Sequence, residues 1–192
     1  MKPEVKQLLN RWADEFAARA LRDPPPSLRV LVWGPSLTGQ PADEDRRRLQ
    51  EKRQKIIDDL QDLGHAATTS EELLERAMEK TEFEDLGNRP LQHVEAHQLQ
   101  EADFVIVLLG PPGTIAETSG LLTSRTLARR AAVFYDATAV VGGYLEAGPL
   151  SNLEALGVTH PYDHDDLVSC RVADAAVEFV NDQAESLRGT RP

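Results

Sequence analysis

Cysteine is nearly absent from this 192-residue chain, in which Cys170 is the only one. A single thiol cannot build an internal disulfide framework, and it cannot supply a cysteine zinc site. Basic residues are also scarce relative to acidic ones, and the formal net charge is −11. Since duplex nucleic acid is bound by neutralising its phosphates with Lys and Arg, we expect no nucleic-acid partner.

Long hydrophobic runs are absent as well. No apolar stretch approaches the length that crosses a bilayer, and Met1-Lys-Pro-Glu4 does not open a secretory signal. We therefore expect a cytoplasmic protein without membrane attachment. Hydrophobic residues still make up 41% of the chain, which supports the core of one α/β domain with a short extension.

Residues 1–26 form the first of two predicted regions. Apolar residues recur at helical spacing between residues 4 and 22, and the proline-rich stretch 23–27 ends this amphipathic helix and acts as a stiff linker. The helix either packs on the flank of the following domain or docks a second copy or a partner protein. Residues 27–190 form the second region, a predicted α/β domain.

Strand and helix signals alternate about five times over this second region. Strands are predicted at residues 28–33, 65–69, 104–109, 131–135 and 157–162. Helices are predicted at 43–63, 70–81, 90–100, 114–130, 151–154 and 167–187. This alternation predicts a doubly wound, parallel, five-stranded sheet of flavodoxin or Rossmann-like type. Ligands of such sheets bind in a crevice beyond the carboxyl ends of the strands.

The stretch from Ala102 to Thr118 is the centre of the functional prediction. Phe104–Leu109 is a continuous apolar run, typical of a strand covered on both faces. The turn from Gly110 to Gly113 ends it, and Thr114 with Glu117 matches a helix capping box. Glu117 is therefore either a structural cap or a functional carboxylate in the ligand crevice.

This turn also has a superficial likeness to the phosphate loop of ATPases. That loop requires Gly, Lys and Ser or Thr where Ile115, Ala116 and Glu117 stand. A carboxylate in the place of the lysine would repel phosphates, which argues against ATP hydrolysis.

Other residues at predicted carboxyl ends of strands are candidates for binding a substrate. The loop after the first strand combines glycines that allow close backbone approach with two hydroxyls, and Asp136 ends the fourth strand. The predicted substrate-binding residues are Gly34, Pro35, Ser36, Gly110, Gly113, Thr114 and Asp136.

Histidines occur in two patterns that a metal site also shows. His93 and His97 share a helix face, but Val94 stands where a zinc-protease helix has its Glu. His160 and His164 lie near Asp163–Asp166, a stretch better explained as the acidic first turn of the last helix. We predict no metal.

Two side-chain environments also follow from the helix patterns. Cys170 falls within the apolar pattern of the last predicted helix, so we expect it in the core. The many charges of the helix at residues 43–63 are expected to form a solvated face.

At Ala102-Asp103-Phe-Val105 and Gly113-Thr-Ile-Ala-Glu117 the chain resembles a superfamily of nucleotide-processing enzymes. It includes the nucleoside 2-deoxyribosyltransferases, the lonely-guy-type phosphoribohydrolases and the Toll/interleukin-receptor-like NAD hydrolases. Gly34-Pro35-Ser36 adds to the resemblance, which covers residues 28–162.

The resemblance implies a hydrolase or transferase that acts on the N-glycosidic bond of a nucleoside, nucleotide or NAD. Glu117 would then act on the anomeric carbon of the ribosyl group, with Asp85, Asp103 and Asp136 as candidate helpers. A nucleotide or NAD is implied as substrate or ligand, with no further cofactor. Related enzymes often complete their pockets across a dimer, which implies a homo-oligomer.

Two other functions compete with this one. Pro111-Pro112 replaces the Gly-Gly and Arg of the phosphoribohydrolases, and a non-catalytic nucleotide-sensing module that acts through the N-terminal helix fits that change. A receiver-type domain with Asp136 as acceptor would need an acidic pair after the first strand, where Gly34-Pro35 stands.

Overall fold

The computed structural model describes residues 5–6, 25–79, 98–110, 118, 120–122, 124–138 and 146–188. The described strands are β1 (Arg29–Trp33), β2 (Ala66–Thr68), β3 (Phe104–Leu108), β4 (Ala131–Asp136) and β5 (Thr159–Tyr162). The longer helices are α1 (Glu44–Asp62), α2 (Ser70–Glu79) and, at the end of the chain, α6 (Arg171–Ser186). Shorter ones are α3 (Arg125–Ala128), α4 (Ser151–Glu154), preceded by a π-helical turn (Glu146–Leu150), and α5 (His164–Val168).

These strands form one parallel sheet in the order β2-β1-β3-β4-β5. β3 lies between β1 and β4, with Trp33 opposite Val107 and Leu108 opposite Phe134. The order reverses between β1 and β3, which makes that boundary the topological switch point of the sheet. The predicted five-stranded, doubly wound fold is confirmed.

Both faces of the sheet are covered by apolar side chains. On one face Val32, Ile106 and Phe134 pack with residues of α1 and α6. On the other, Leu31 and Val107 pack with residues from the helical segments between β2 and β5. Each residue of β3 is buried, as the continuous apolar run requires, because a central parallel strand has no solvated face.

Local signals mark the ends of α1 as predicted. The Asp43 carboxylate accepts a hydrogen bond from the Arg46 N–H at 2.7 Å and caps the first turn. Gly64 follows the helix with φ of +86°, a left-handed conformation in which glycine carries no Cβ penalty. The cap of α2 is Thr69, whose hydroxyl accepts from the Glu72 N–H at 3.1 Å.

The last predicted helix is two helices. Ser169, with ψ of −177°, is extended and separates α5 from α6, and Cys170 stands before the first residue of α6. Cys170 is exposed, so its predicted core position is wrong. The helical spacing places Cys170 in the core only if one straight helix runs through Ser169, and the change of axis there turns the thiol to solvent.

The helix predicted to run without a break to residue 130 is also interrupted. Residues 118, 120 and 121 are helical, whereas Ser124 is extended with φ of −143° and ψ of 122° before α3 begins. Leu121, Leu122 and Leu127 pack against the same core cluster from both sides of this break. The leucine pattern therefore does not reveal it.

Several predicted features lie outside the described residues. They are the helix at residues 4–22, apart from residues 5–6, and most of the helix at 90–100, of which 98–101 are described and helical. Among the described helices, none combines the length and the apolar character needed to cross a bilayer.

Candidate ligand-binding crevice

The carboxyl ends of β1 and β3 form the candidate site. The chain leaves β1 toward β2 on one side and leaves β3 toward β4 on the other. Ligands of open α/β sheets bind at such a reversal, between the two following loops. Gly34, Pro35 and Ser36 follow β1, and Gly110 comes just after β3. Four of the predicted substrate-binding residues thus lie at the switch point.

The two loops pack closely at this point. A Cβ on Gly34 would lie 3.2 Å from the Arg53 Cδ and 3.3 Å from the Leu108 Cβ. A Cβ on Gly110 would lie 3.1 Å from a Leu49 methyl carbon and 3.8 Å from the Pro35 Cγ. A methyl at either position would fit only if its neighbour moved by a few tenths of an ångström, so both glycines stand at close contacts, and the structure brings Gly34, Pro35 and Gly110 together.

Ser36 supplies a hydroxyl at the open side of the loop. Its Oγ lies 3.1 Å from the Thr38 Oγ1, and both residues are exposed. The pair can donate to or accept from a ligand hydroxyl or phosphate.

Arg53, on α1, is a residue of this site that sequence reasoning missed. It is 1% exposed. Its guanidinium donates to the Val32 carbonyl at 3.1 and 2.8 Å and to the Pro35 carbonyl at 2.9 Å. It also forms a bidentate pair with the Glu71 carboxylate, with both distances 2.9 Å. Arg53 therefore connects α1, the end of β1 and the first turn of α2.

The Val32 carbonyl needs such a partner because β2 is short. The Leu28 carbonyl accepts from Ala66 on the β2 side, and the Arg29 carbonyl accepts from Asp103 on the β3 side. Since carbonyls alternate in direction along a strand, the Val32 carbonyl points to the β2 side, beyond the last β2 residue, Thr68. Arg53 takes the place of a strand there and satisfies a buried carbonyl.

Glu71 balances the buried charge of Arg53. Partial burial of the Glu71 carboxyl tends to raise its pKa, but the hydrogen bonds and positive charge of Arg53 outweigh that effect and hold the pKa below its usual value. The Glu71 carboxyl is therefore ionised at neutral pH.

Gln50 holds the rest of the loop from the same helix. Its Nε2 donates to the Ser36 carbonyl and, at 3.2 Å, to the Gly39 carbonyl. Gln50 and Arg53 are three residues apart and so lie on one side of α1.

The expectation of a solvated charged face on α1 is wrong at Lys52 and Arg53, which are buried. A signal was present in the sequence. Arg53 follows Leu49 by four residues and precedes Ile56 by three, so it occupies the apolar stripe itself.

Asp136 lies at the same edge of the sheet but on β4, beyond β3 from the switch point. Its Oδ1 accepts from the N–H and from the hydroxyl of Thr138, both at 2.7 Å. The carboxylate thus closes a local turn. Tyr135, the residue before Asp136, donates its hydroxyl to Glu154 at 2.9 Å.

Tyr162 stands opposite Asp136 in the β4–β5 pair. Burial raises the pKa of its phenol, and the charges of Asp136 and Asp45 add to the effect. The phenol therefore remains protonated at neutral pH.

Asp103, a candidate helper, is at the opposite edge. Its Oδ2 accepts from the Arg29 N–H at 2.9 Å at the amino end of β1. At about 3.3 Å per residue, the length of β3 separates it from the crevice, so a helper role there is wrong.

The acidic turn Asp163–Asp166 is a cap, as predicted. The Asp163 carboxylate accepts from the Asp166 N–H at 2.9 Å, and the Asp166 carboxylate accepts from the Asp163 N–H at 3.2 Å. The two hydrogen bonds form a capping box. Within the described ranges, no three His, Cys, Asp or Glu side chains form a group suited to a metal ion.

A cavity of about 360 Å³ lies at the other end of the sheet. Its lining includes Arg29, Ala66, Arg76 and Gln98, from the amino ends of β1 and β2 and the helices beside them. It is separate from the crevice at the switch point.

Glu117, Gly113, Thr114 and Asp85 lie outside the described residues, as do His93 and His97. Their predicted roles therefore stay predictions.

The fold and the candidate site together define a flavodoxin-type α/β domain whose switch point lies between the loops after β1 and β3. No protein-family model matches the chain, and no curated protein matches it.

Proposed function

We propose that the protein is a hydrolase or transferase acting on the N-glycosidic bond of a nucleoside, nucleotide or NAD, with Glu117 as the catalytic carboxylate. The observation that carries this proposal is the meeting of Gly34, Pro35 and Gly110 at the switch point. Glu117 follows Gly110 by seven residues in the sequence, and the proposal requires its carboxylate to face this site.

A carboxylate suits this chemistry. Breaking the bond between the anomeric carbon and the base nitrogen develops oxocarbenium-like positive charge on the sugar. A fixed carboxylate either stabilises that charge or attacks the carbon as nucleophile. The base leaves with the bonding electron pair and takes a proton. Water or an acceptor base then forms the new bond to the anomeric carbon.

The loop after β1 supplies polar groups for the sugar or phosphate. Ser36 and Thr38 present exposed hydroxyls. Gly113 and Thr114, at the predicted helix start, would add backbone amides, which favour anions at a helix N-terminus.

The test is a chromatographic screen for free base. Purified protein is incubated with NAD and a panel of nucleosides and nucleotides, beside the Glu117→Gln variant. Glutamine at the third position of a helix still forms a capping box, so this substitution removes the charge and keeps the cap. We expect base release that falls at least about 10²-fold in the variant.

Two outcomes would contradict the proposal. Unchanged turnover in Glu117→Gln would show that Glu117 serves only as a helix cap and not as a catalytic carboxylate. No base release by the natural chain, with a nucleotide raising its melting temperature, would favour the alternative of a non-catalytic sensing module.

The alternative and the proposed homo-oligomer share a second test. Pro111-Pro112 and the apolar stripe of residues 4–22 favour a module that signals through its N-terminal helix. Sedimentation would then show that the full chain forms an assembly and that a chain lacking residues 1–26 does not. A monomer in both cases would count against the module and against the oligomer.

A further inference from the structure

Two side chains of α1 bind carbonyl oxygens at the end of β1 and in the loop at residues 34–39. Arg53 binds the carbonyls of Val32 and Pro35, and Gln50 binds those of Ser36 and Gly39. All four acceptors are thus taken by two side chains of α1. Such an arrangement is unusual for an exposed loop, where water commonly satisfies the backbone.

We propose that Arg53, assisted by Gln50, is a positioning residue that presents the amide N–H groups of this loop to the ligand. The inference rests on the proposed function for the location of the ligand. It adds the means by which the loop recognises that ligand.

The direction of the amides follows from peptide geometry. The C=O and N–H of a trans peptide point in opposite directions, and the structure contains no cis peptide bond among the described residues. With the carbonyls of Pro35, Ser36 and Gly39 turned toward α1, the N–H groups of Ser36, Leu37 and Gln40 point away from it.

These three amides are available to a ligand. Within the described part of the chain no backbone or side-chain oxygen accepts from them. Ser36 and Gln40 are also exposed. An oxygen-rich group such as a ribose hydroxyl or a phosphate is the natural acceptor for such N–H donors.

Arg53 acts through the loop and not by its own charge. Its side chain is 1% exposed and its guanidinium is paired with Glu71, so it neither contacts the ligand nor offers a free positive charge. Its planar fork reaches two carbonyls and a carboxylate at once, which a lysine ammonium cannot reproduce.

The test compares Arg53→Met and Arg53→Lys with Arg47→Met, a control on the same helix. Arg47 is 47% exposed and pairs with Glu44, away from the loop. Backbone ¹⁵N relaxation is measured on each folded, ligand-free protein. We expect order parameters of about 0.85 for Ser36 and Leu37 in the natural chain and in Arg47→Met. In Arg53→Met they should fall below about 0.6, with Arg53→Lys between.

Calorimetric titration with adenosine monophosphate and with NAD gives the second readout. We expect the Kd of the probe that binds to rise about tenfold in Arg53→Met. With the substrate found in the base-release screen, KM should rise while kcat stays within about twofold, because the loop contributes binding and not chemistry.

The outcomes separate this inference from the proposed function. Unchanged loop order parameters in Arg53→Met would overturn the inference, whatever the activity. An unchanged Kd or KM in a variant whose loop has loosened would also overturn it. If the natural chain binds neither probe and releases no base, the proposed function fails, and the relaxation data alone decide whether Arg53 orders the loop. If Arg53→Met does not fold, the loop order parameters and the Kd or KM are measured on Arg53→Lys instead.

Discussion

The loops after β1 and after β4 lie at the same edge of one sheet, yet they are held in different ways. The β1 loop depends on distant residues: Gln50, Arg53 and, through Arg53, Glu71 on the next helix. The β4 turn depends on Asp136 bonding to Thr138, two residues away. Distant residues can hold a loop in one conformation while a ligand enters, whereas a local turn only redirects the chain.

The largest expected effect comes from removing the partner of Arg53. Glu71→Ala leaves a guanidinium that is 1% exposed without its carboxylate, and loss of one member of such a pair costs about 3 kcal/mol. Urea unfolding should show this loss. Glu72→Ala, the next residue, removes an exposed pair with Arg76 at 3.5 Å and a hydrogen bond from the Thr68 hydroxyl at 2.7 Å, and should cost about 1 kcal/mol.

Acid should reproduce part of this loss in the natural chain. The pKa of Glu71 is lowered in the folded state from 4.5, so its stabilising effect is complete above that value. It is lost as the pH falls from 4.5 through the lower folded-state pKa. Equal stabilities of Glu71→Ala and the natural chain at neutral pH would show that the β1 loop does not depend on the pair.

Gly34→Ala should have the next largest effect. The new methyl would meet the Arg53 Cδ at 3.2 Å and the Leu108 Cβ at 3.3 Å, and overpacking of this kind costs about 1–3 kcal/mol. Thermal unfolding measures the cost. Gly39→Ala, in the same loop, meets nothing within 4 Å and is the matched control. Equal melting temperatures for the two variants would contradict the close approach at Gly34.

Asp136→Ala should have a smaller effect. It removes two hydrogen bonds to Thr138 in an exposed turn, worth about 1 kcal/mol together. Urea unfolding should show that loss, and ¹⁵N relaxation should show no change in the β1 loop. A loosened β1 loop in this variant would mean that the two loops are coupled and that the β4 turn is not held by local contacts alone.

The smallest expected effect is a pH dependence on the β5 side. The His160 ring stacks on Phe134 with centroids 4.7 Å apart, and its Nε2 is buried without a partner among the described residues. Burial lowers the pKa of His160 below 6.5. Between its folded and unfolded pKa values the unfolded state binds more protons, so stability falls as the pH drops below 6.5 and levels off below the folded pKa.

His160→Phe should remove this dependence, because phenylalanine does not titrate. Unfolding curves of the variant and the natural chain between pH 7.5 and 5 (about the range in which histidine titrates) make the comparison. Parallel losses of stability in both proteins would assign the pH effect to other groups.

Much of the fold follows from local patterns. The apolar run of β3 and the acidic turn at Asp163 each depend on residues within a few positions, and each appears as predicted. The Asp43 cap and Gly64 at the two ends of α1 are local features of the same kind. The predictions fail where an apolar helical pattern continues past a break in the helix, as at Ser169 before Cys170.

The features of the candidate site also divide into those set by local sequence and those set by packing. The sequence by itself determined that glycines and polar residues stand at the carboxyl ends of β1, β3 and β4, because strand periodicity and turn residues are local properties. Only the tertiary structure decided which ends meet, since strand order is set by the packing of helices on both faces. It also decided that Arg53 is buried at β1. The early end of β2 leaves the buried Val32 carbonyl without a strand partner, and Arg53, which binds it, is 21 residues away along the chain.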